Sequence, residues 1–154
     1  MTPEQFASLM QPIIDFAGGK AVDRDLAAAL NQRFPASGSD VMAVEYACNS
    51  AIKAGWMCAQ GSPGRRFGRV IPACPQTRDL SVDVIDLTDF AGSLHRHPHG
   101  EICLIMPVDE TARVDGKGRG WCVYGPDSTH RPTVKGGRAL VLSLLPGGAI
   151  EFVE

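Results

Sequence analysis

The chain has 154 residues, of which 44% are hydrophobic and 21% charged, and its 15 basic and 17 acidic side chains leave a net charge of -2. That length suits one domain with a sizeable core, and the composition excludes a disordered chain. The balanced charge argues against nucleic acid or an anionic membrane surface as partner and leaves a small molecule as the better match.

Met1 to Glu4 lack the basic start and apolar stretch of a signal peptide, and no apolar run is long enough to span a bilayer, so the expected location is cytoplasmic. Cys48, Cys58, Cys74, Cys103 and Cys122 form no C-x-x-C pair, and their odd number fits reduced thiols.

In chain order, Thr2-Pro3-Glu4-Gln5 carries a Thr cap, a proline at the first helical position and a Gln placed to close a capping box. Phe6, Leu9, Met10, Ile13 and Ile14 then form one apolar stripe; Pro12 is expected to kink or stagger the helix, and Gly18-Gly19 to end it. Gly18-Gly19-Lys20 lacks the upstream glycine and the following Ser/Thr of a phosphate loop, so it reads as a helix terminator. Asp23 opens a second helix that Pro35 stops, with Leu26, Ala29, Leu30 and Phe34 on one face. Ser39 or Asp40 caps a third, with Val41, Val44, Cys48 and Ile52 inward and Gly55 as its C-cap.

Beyond Gly55 the period changes. Trp56–Ala59 and Phe67–Ile71 flank Gly61-Ser62-Pro63-Gly64 as a hairpin, and Val82 to Leu87 alternate like a half-buried strand. Shorter strands are expected at Leu94–His97, Glu101–Val108, Trp121–Tyr124, Pro132–Val134, Ala139–Leu144 and Ala149–Val153, separated by Gly, Pro and Asp clusters. The predicted fold is α+β: one domain over 1–154, with a helical segment (1–55) followed by an antiparallel β-barrel (56–154). The helices either cover one side of that barrel or form a dimer contact.

His95-x-His97-x-x-x-Glu101 and the later His130 supply three imidazoles and a carboxylate, a mixed N/O set suited to a divalent first-row metal. On extended strands His95 and His97 share one face, as do Glu101 and Cys103, so four ligands from three strands can meet inside a small barrel. The plainer reading is a pair of exposed strand histidines and an unrelated loop histidine. Against it, all four histidines of the chain fall between 95 and 130. His99, beside Gly100, belongs in a turn and is not counted as a ligand.

Arg65, Arg66 and Arg69 cluster around the hairpin, where a solvated turn is the ordinary role. For an aromatic carboxylate, a planar guanidinium is well shaped, and Arg69, Arg96 and Arg131 are the candidates. Trp121 and Tyr124 could wall a flat substrate, Tyr124 also offering a hydroxyl, but only one of the pairs Cys122/Tyr124 and Trp121/Val123 can face inward. Asp115 to Gly120 reads as a mobile turn that could serve as a lid.

The first histidine motif resembles the first cupin motif, and Gly125-Pro126-Asp127-Ser128-Thr129-His130 the core of the second. Gly120-Trp121-Cys122-Val123-Tyr124-Gly125-Pro126, His130-Arg131-Pro132-Thr133-Val134, Gly137-Arg138-Ala139-Leu140-Val141-Leu142 and Leu145-Pro146-Gly147-Gly148 resemble the small 4-hydroxylaminobenzoate lyases of bacterial nitroarene breakdown. The resemblance implies a cupin-like barrel, a homodimer, and a carbon-nitrogen lyase giving 3,4-dihydroxybenzoate and ammonia. It would use Glu101, His130 and Tyr124 as catalytic groups and Arg69, Arg96, Arg131, Trp121 and Cys103 around the substrate. A divalent ion (Fe, Mn, Zn or Ni) is expected on His95, His97, Glu101 and His130, with no organic cofactor. A metal-dependent dioxygenase and a non-catalytic acid-binding cupin remain open alternatives.

Overall fold

The structure is a computed structural model that describes residues 1–153; Glu154, the last residue of the expected barrel segment, lies outside them. Helix α1 (Pro3–Ala17) starts at Thr2, whose side chain accepts from Gln5 N–H while the Gln5 side chain returns to the Thr2 backbone, the reciprocal cap expected. The helix runs continuously through Pro12. Asp23 caps α2 (Arg24–Arg33) through Leu26 N–H. Helix α3 (Ser39–Ala54) is capped by Gly38 rather than by Ser39 or Asp40, without a side-chain hydrogen bond, and ends at Gly55, whose φ of 91° is one that glycine adopts freely.

The strands are β1 (Gln60–Ser62), β2 (Arg65–Ile71), β3 (Leu80–Thr88), β4 (His95–His97), β5 (Glu101–Pro107), β6 (Arg113–Val114), β7 (Gly120–Tyr124), β8 (Ser128–His130), β9 (Val134–Lys135), β10 (Arg138–Pro146) and β11 (Glu151–Phe152). The hairpin closes later than predicted: Trp56 to Ala59 form no strand, because Cys58 takes a φ of 53°, incompatible with extended backbone, and Trp56 Nε1 donates to Met1 O. β8 escaped the alternation reading because three polar residues after a Pro-Asp turn carry no apolar periodicity.

All pairings are antiparallel, in a six-stranded sheet ordered β1-β2-β3-β10-β5-β7, a three-stranded sheet β11-β4-β8 and a pair β6-β9. The helices cover the outer face of the large sheet. There Leu80, Val82 and Val84 of β3, Ile102, Leu104 and Met106 of β5, and Leu140, Leu142 and Leu144 of β10 join Phe6, Met10, Ile13 and Leu30 in one core. A smaller core of Cys103, Ile105, Val114, Val134 and Val141 occupies the opposite, barrel-interior side. β3 keeps the expected alternation over Val82 to Asp86, its helix side buried and Asp83 and Ile85 on the cavity side only partly so, while Leu87 is buried as well.

Helix α2 also closes an edge. The Asn31 side chain accepts from Trp121 N–H and donates to Trp121 O, both at 3.0 Å, pairing with the β7 backbone as a neighbouring strand would. Among the described residues, no helix is long and apolar enough to cross a membrane.

Candidate metal centre

Alternation on three short strands builds the site. In β4, His95 and His97 point into the barrel while Arg96 between them points out, and β8 lies antiparallel alongside with His130 opposite His95. A turn through His99 and Gly100 leads directly into β5, where Glu101 is the first residue. Gly100 has a φ of 88°, and a side chain there would meet Tyr124 O and Val22 Cγ1 at 2.9 Å, so the turn that aims Glu101 inward requires glycine.

The potential ligand atoms of His95, His97, Glu101 and His130 lie within 4.8 Å of one another. His97 Nε2 is 3.0 Å from His130 Nε2 and 3.0 Å from Glu101 Oε1, and His130 Nε2 is 3.2 Å from the same oxygen. Atoms bound at about 2.0–2.2 Å to a single divalent ion stand roughly 3 to 3.5 Å apart. Glu101 Oε1 is also a buried polar atom without an aligned hydrogen-bond partner, an arrangement that an ion would satisfy. The donor set thus fits a metal.

Surrounding groups orient the ligands. Ser93 O, which can only accept, lies 3.1 Å from His95 Nδ1, so that nitrogen carries the hydrogen and Nε2 is left to the cluster. The Ser143 hydroxyl donates to Glu101 Oε2 at 2.6 Å. On the far side of His130, Asp115 Oδ2 lies 3.1 Å from Nδ1 and 2.5 Å from the Tyr124 hydroxyl, and Tyr124 stacks on the His130 ring with centroids 4.0 Å apart.

Burial and charge split the titrations. Desolvation, with the His97 and His130 charges adding to it, depresses His95 to about 4 against the pull of Glu101 and the Ser93 carbonyl. Desolvation also acts to lower His130, but Asp115 and Glu101 outweigh it and raise the imidazole to about 9. For Glu101, burial opposes ionisation, yet His130, His97 and Ser143 together hold the carboxyl well below the usual range. Burial and the bond to Asp115 push the Tyr124 hydroxyl up.

The cluster adjoins a cavity of about 650 Å³. His95, Glu101, Cys103, Tyr124 and His130 line it, as do Arg65, Arg66 and Arg69. Arg69 is held by Asp83 through Nε at 2.9 Å and Nη2 at 3.2 Å, and Nη2 also donates to Gly148 O. Arg96 and Arg131 lie elsewhere: Arg96 pairs with Asp127 and Glu151 on the outer side, and Arg131 donates to Gly92 O.

Trp121 is likewise displaced from the expected substrate wall. Only 5% exposed, it packs among the helices, its indole donating to Phe34 O, so Cys122 and Tyr124 are the cavity-facing pair of β7. His99 is exposed, as expected for a turn residue. Asp115 and Ser143 were not singled out from the sequence. Asp115 looked like turn chemistry, and only the rule that a ligating histidine needs an acceptor at its other nitrogen could have prompted a search for it.

Comparison with known proteins places these residues in context. The family described as PnbB: 4-hydroxylaminobenzoate lyase matches residues 8–152. A 4-hydroxylaminobenzoate lyase of Nocardioides sp. (strain LMS-CY) is 26% identical over 161 residues, covering 98% of this chain and 95% of the relative. One of Pseudomonas putida is 25% identical over 150 residues, covering 86% of this chain and 85% of the relative. Among solved structures, an RmlC-like cupin protein from Ralstonia eutropha JMP134 has a TM-score of 0.43 and 13% identity, covering 58% of this chain and 60% of that one. The α+β, cupin-like architecture is evident from the strand pairing itself.

Proposed function

The chain belongs to the 4-hydroxylaminobenzoate lyase family, and from that premise we propose that it converts 4-hydroxylaminobenzoate and water to 3,4-dihydroxybenzoate and ammonia. The observation that carries the reading is the convergence of three imidazoles and one carboxylate beside a cavity whose remaining wall is largely apolar. His95, His97, Glu101 and His130 would hold a divalent ion. When bound, such an ion acts as a Lewis acid toward oxygen and lowers the pKa of water.

The chain's own groups supply binding and proton control. Arg69 takes the substrate carboxylate: its inward position on β2 aligns with Asp83, Ser143, Cys103 and Cys122 across the sheet, one pleat from Glu101. Arg65 lies four residues farther from that end, about 13 Å along a strand, and is therefore the more distant of the two from the level of Glu101. Ile85, Ile105 and Val141 take the ring, with the Cys103 thiol on the same wall. Glu101, His130 and Tyr124 act next to the hydroxylamino group, where the Tyr124 oxygen can accept a hydrogen bond because its own hydrogen goes to Asp115. If the chemistry runs without metal, His130, protonated at neutral pH, is the acid that assists departure of the N-bound oxygen.

Cleavage of the N–O bond provides the oxidising equivalents, so molecular oxygen is dispensable. The reading also includes a single-domain homodimer in the cytoplasm, for which five free thiols are suitable. Turnover should proceed undiminished under anaerobic conditions with stoichiometric ammonia. Label from ¹⁸O-water should enter the ring hydroxyl formed where nitrogen departs. Strict dependence on O₂ with label from ¹⁸O₂ would replace the lyase by a dioxygenase, and binding without product in either atmosphere would leave a non-catalytic cupin.

A further inference from the structure

We propose that Asp115 is a positioning residue that fixes the tautomer of His130 and so keeps the Nε2 lone pair directed at Glu101 and His97. This role rests on the cluster being a cation site, one of whose ligands is then set by a loop carboxylate.

The Asp115 carboxylate is fully committed. Oδ1 accepts from Thr133 N–H at 2.9 Å, while Oδ2 faces both His130 Nδ1 at 3.1 Å and the Tyr124 hydroxyl at 2.5 Å. Its backbone is fixed to the same segment, the Asp115 N–H donating to Thr133 O at 2.9 Å. An ionised carboxylate is only an acceptor, so His130 Nδ1 must carry a hydrogen. A neutral imidazole protonated at Nδ1 has its lone pair at Nε2, the atom 3.0 Å from His97 Nε2 and 3.2 Å from Glu101 Oε1. The other histidines differ in this respect: His95 uses the Ser93 carbonyl, and His97 Nδ1 is buried without a partner. Asp115 is thus the one charged side chain fixing a ring orientation within the cluster among the described residues.

The substitution Asp115→Asn separates this role from a structural one. Asp115 has a φ of 52°, a region that Asn tolerates nearly as well as Asp, so the turn is preserved. An amide, however, has one oxygen and one NH₂. With the oxygen toward Thr133 N–H, the NH₂ faces His130 Nδ1, which must then accept, and the hydrogen moves to Nε2, where it blocks the cation. With the amide flipped, NH₂ meets the Thr133 N–H. Either arrangement penalises the metal-binding tautomer.

The test uses zinc as probe, with affinity measured by competition against a chromophoric chelator at fixed pH. Asp115→Asn should weaken zinc binding by about 10- to 100-fold, the usual consequence of losing a partner behind a ligating histidine, with the metal-free variant still folded at the assay temperature although less stable, since the bond to protonated His130 is weakened. In ¹⁵N spectra of zinc-loaded wild-type protein, His130 should carry its proton on Nδ1. Equal zinc affinity in wild type and Asp115→Asn would overturn the role of Asp115, whereas failure of the wild type itself to bind zinc, nickel, manganese or iron would overturn the cation site beneath it. Should Asp115→Asn not fold, the ¹⁵N spectrum decides: an unprotonated Nδ1 refutes the assignment.

Discussion

The two faces of the six-stranded sheet are built from the same strands and have opposite characters. On β10, Leu140, Leu142 and Leu144 face the helices and are fully buried in an apolar core, whereas the intervening Val141 and Ser143 face the cavity, Ser143 holding Glu101. β5 repeats the division, with Ile102, Leu104 and Met106 outward and Glu101, Cys103 and Ile105 inward. Stability is thus concentrated on the helix side, where side chains can pack without gaps. The interior keeps a space, and its polar groups hold one another, Ser143 on Glu101 and Asp115 on His130, while Glu101 Oε1 and His97 Nδ1 stay buried without a hydrogen-bond partner.

The comparison is broken most severely by removing a ligand. His97→Ala should abolish bound metal and reduce turnover by about a thousandfold or more, since several kcal/mol of electrostatic stabilisation is lost, while the helix-side core keeps the protein folded. Metal analysis and kcat/KM on the purified variant test both halves, and unfolding of the variant would show that the two faces are not independent.

Adjacent residues on β10 sharpen it next. Leu142→Ala opens a cavity in the helix-side core and should cost about 2–5 kcal/mol, with metal affinity per folded molecule unchanged. Ser143→Ala should cost only about 1 kcal/mol but weaken metal retention by freeing Glu101. Denaturant titration alongside chelator competition reads the pair, and equal stability losses would contradict the division.

Arg69→Met should weaken 4-hydroxylaminobenzoate by about 1.5–3 kcal/mol in kcat/KM, the range for a hydrogen bond to a charged group, and leave unsubstituted phenylhydroxylamine nearly unaffected. Retained preference for the carboxylated compound would move the clamp to another cavity arginine.

A further test is in pH. In metal-free protein, His95 at about 4 lies below its ordinary 6.5, so the folded state binds fewer protons there and stability falls as pH drops from 6.5 towards 4. His130 at about 9 is raised, so its contribution is complete below 6.5 and is lost as pH climbs through 9. These two groups together predict a stability maximum near pH 6.5, measured as denaturation midpoint against pH. The maximum should shift in His95→Ala or His130→Ala but not in variants of the helix side.

The sequence by itself determined the elements whose causes are local. The Thr2 and Asp23 caps, the Gly55 stop, and the His95/His97 alternation followed from spacing and propensity, and the same alternation placed Glu101 beside Cys103. Arg96 and Arg131 could be suspected of pointing away, because each adjoins an inward residue on a strand. Tertiary structure alone decided the rest. Which face of β7 lines the cavity depends on α2, whose Asn31 holds the Trp121 backbone while the Phe34 carbonyl receives its indole. The same dependence on distant chain explains Asp115 and Ser143, which reach His130 and Glu101 across sequence separations of 15 and 42 residues. Periodicity records which residues share a face of one element. It carries no information about which distant side chain supplies a hydrogen-bond partner, because that geometry exists only once the sheets have closed around the site.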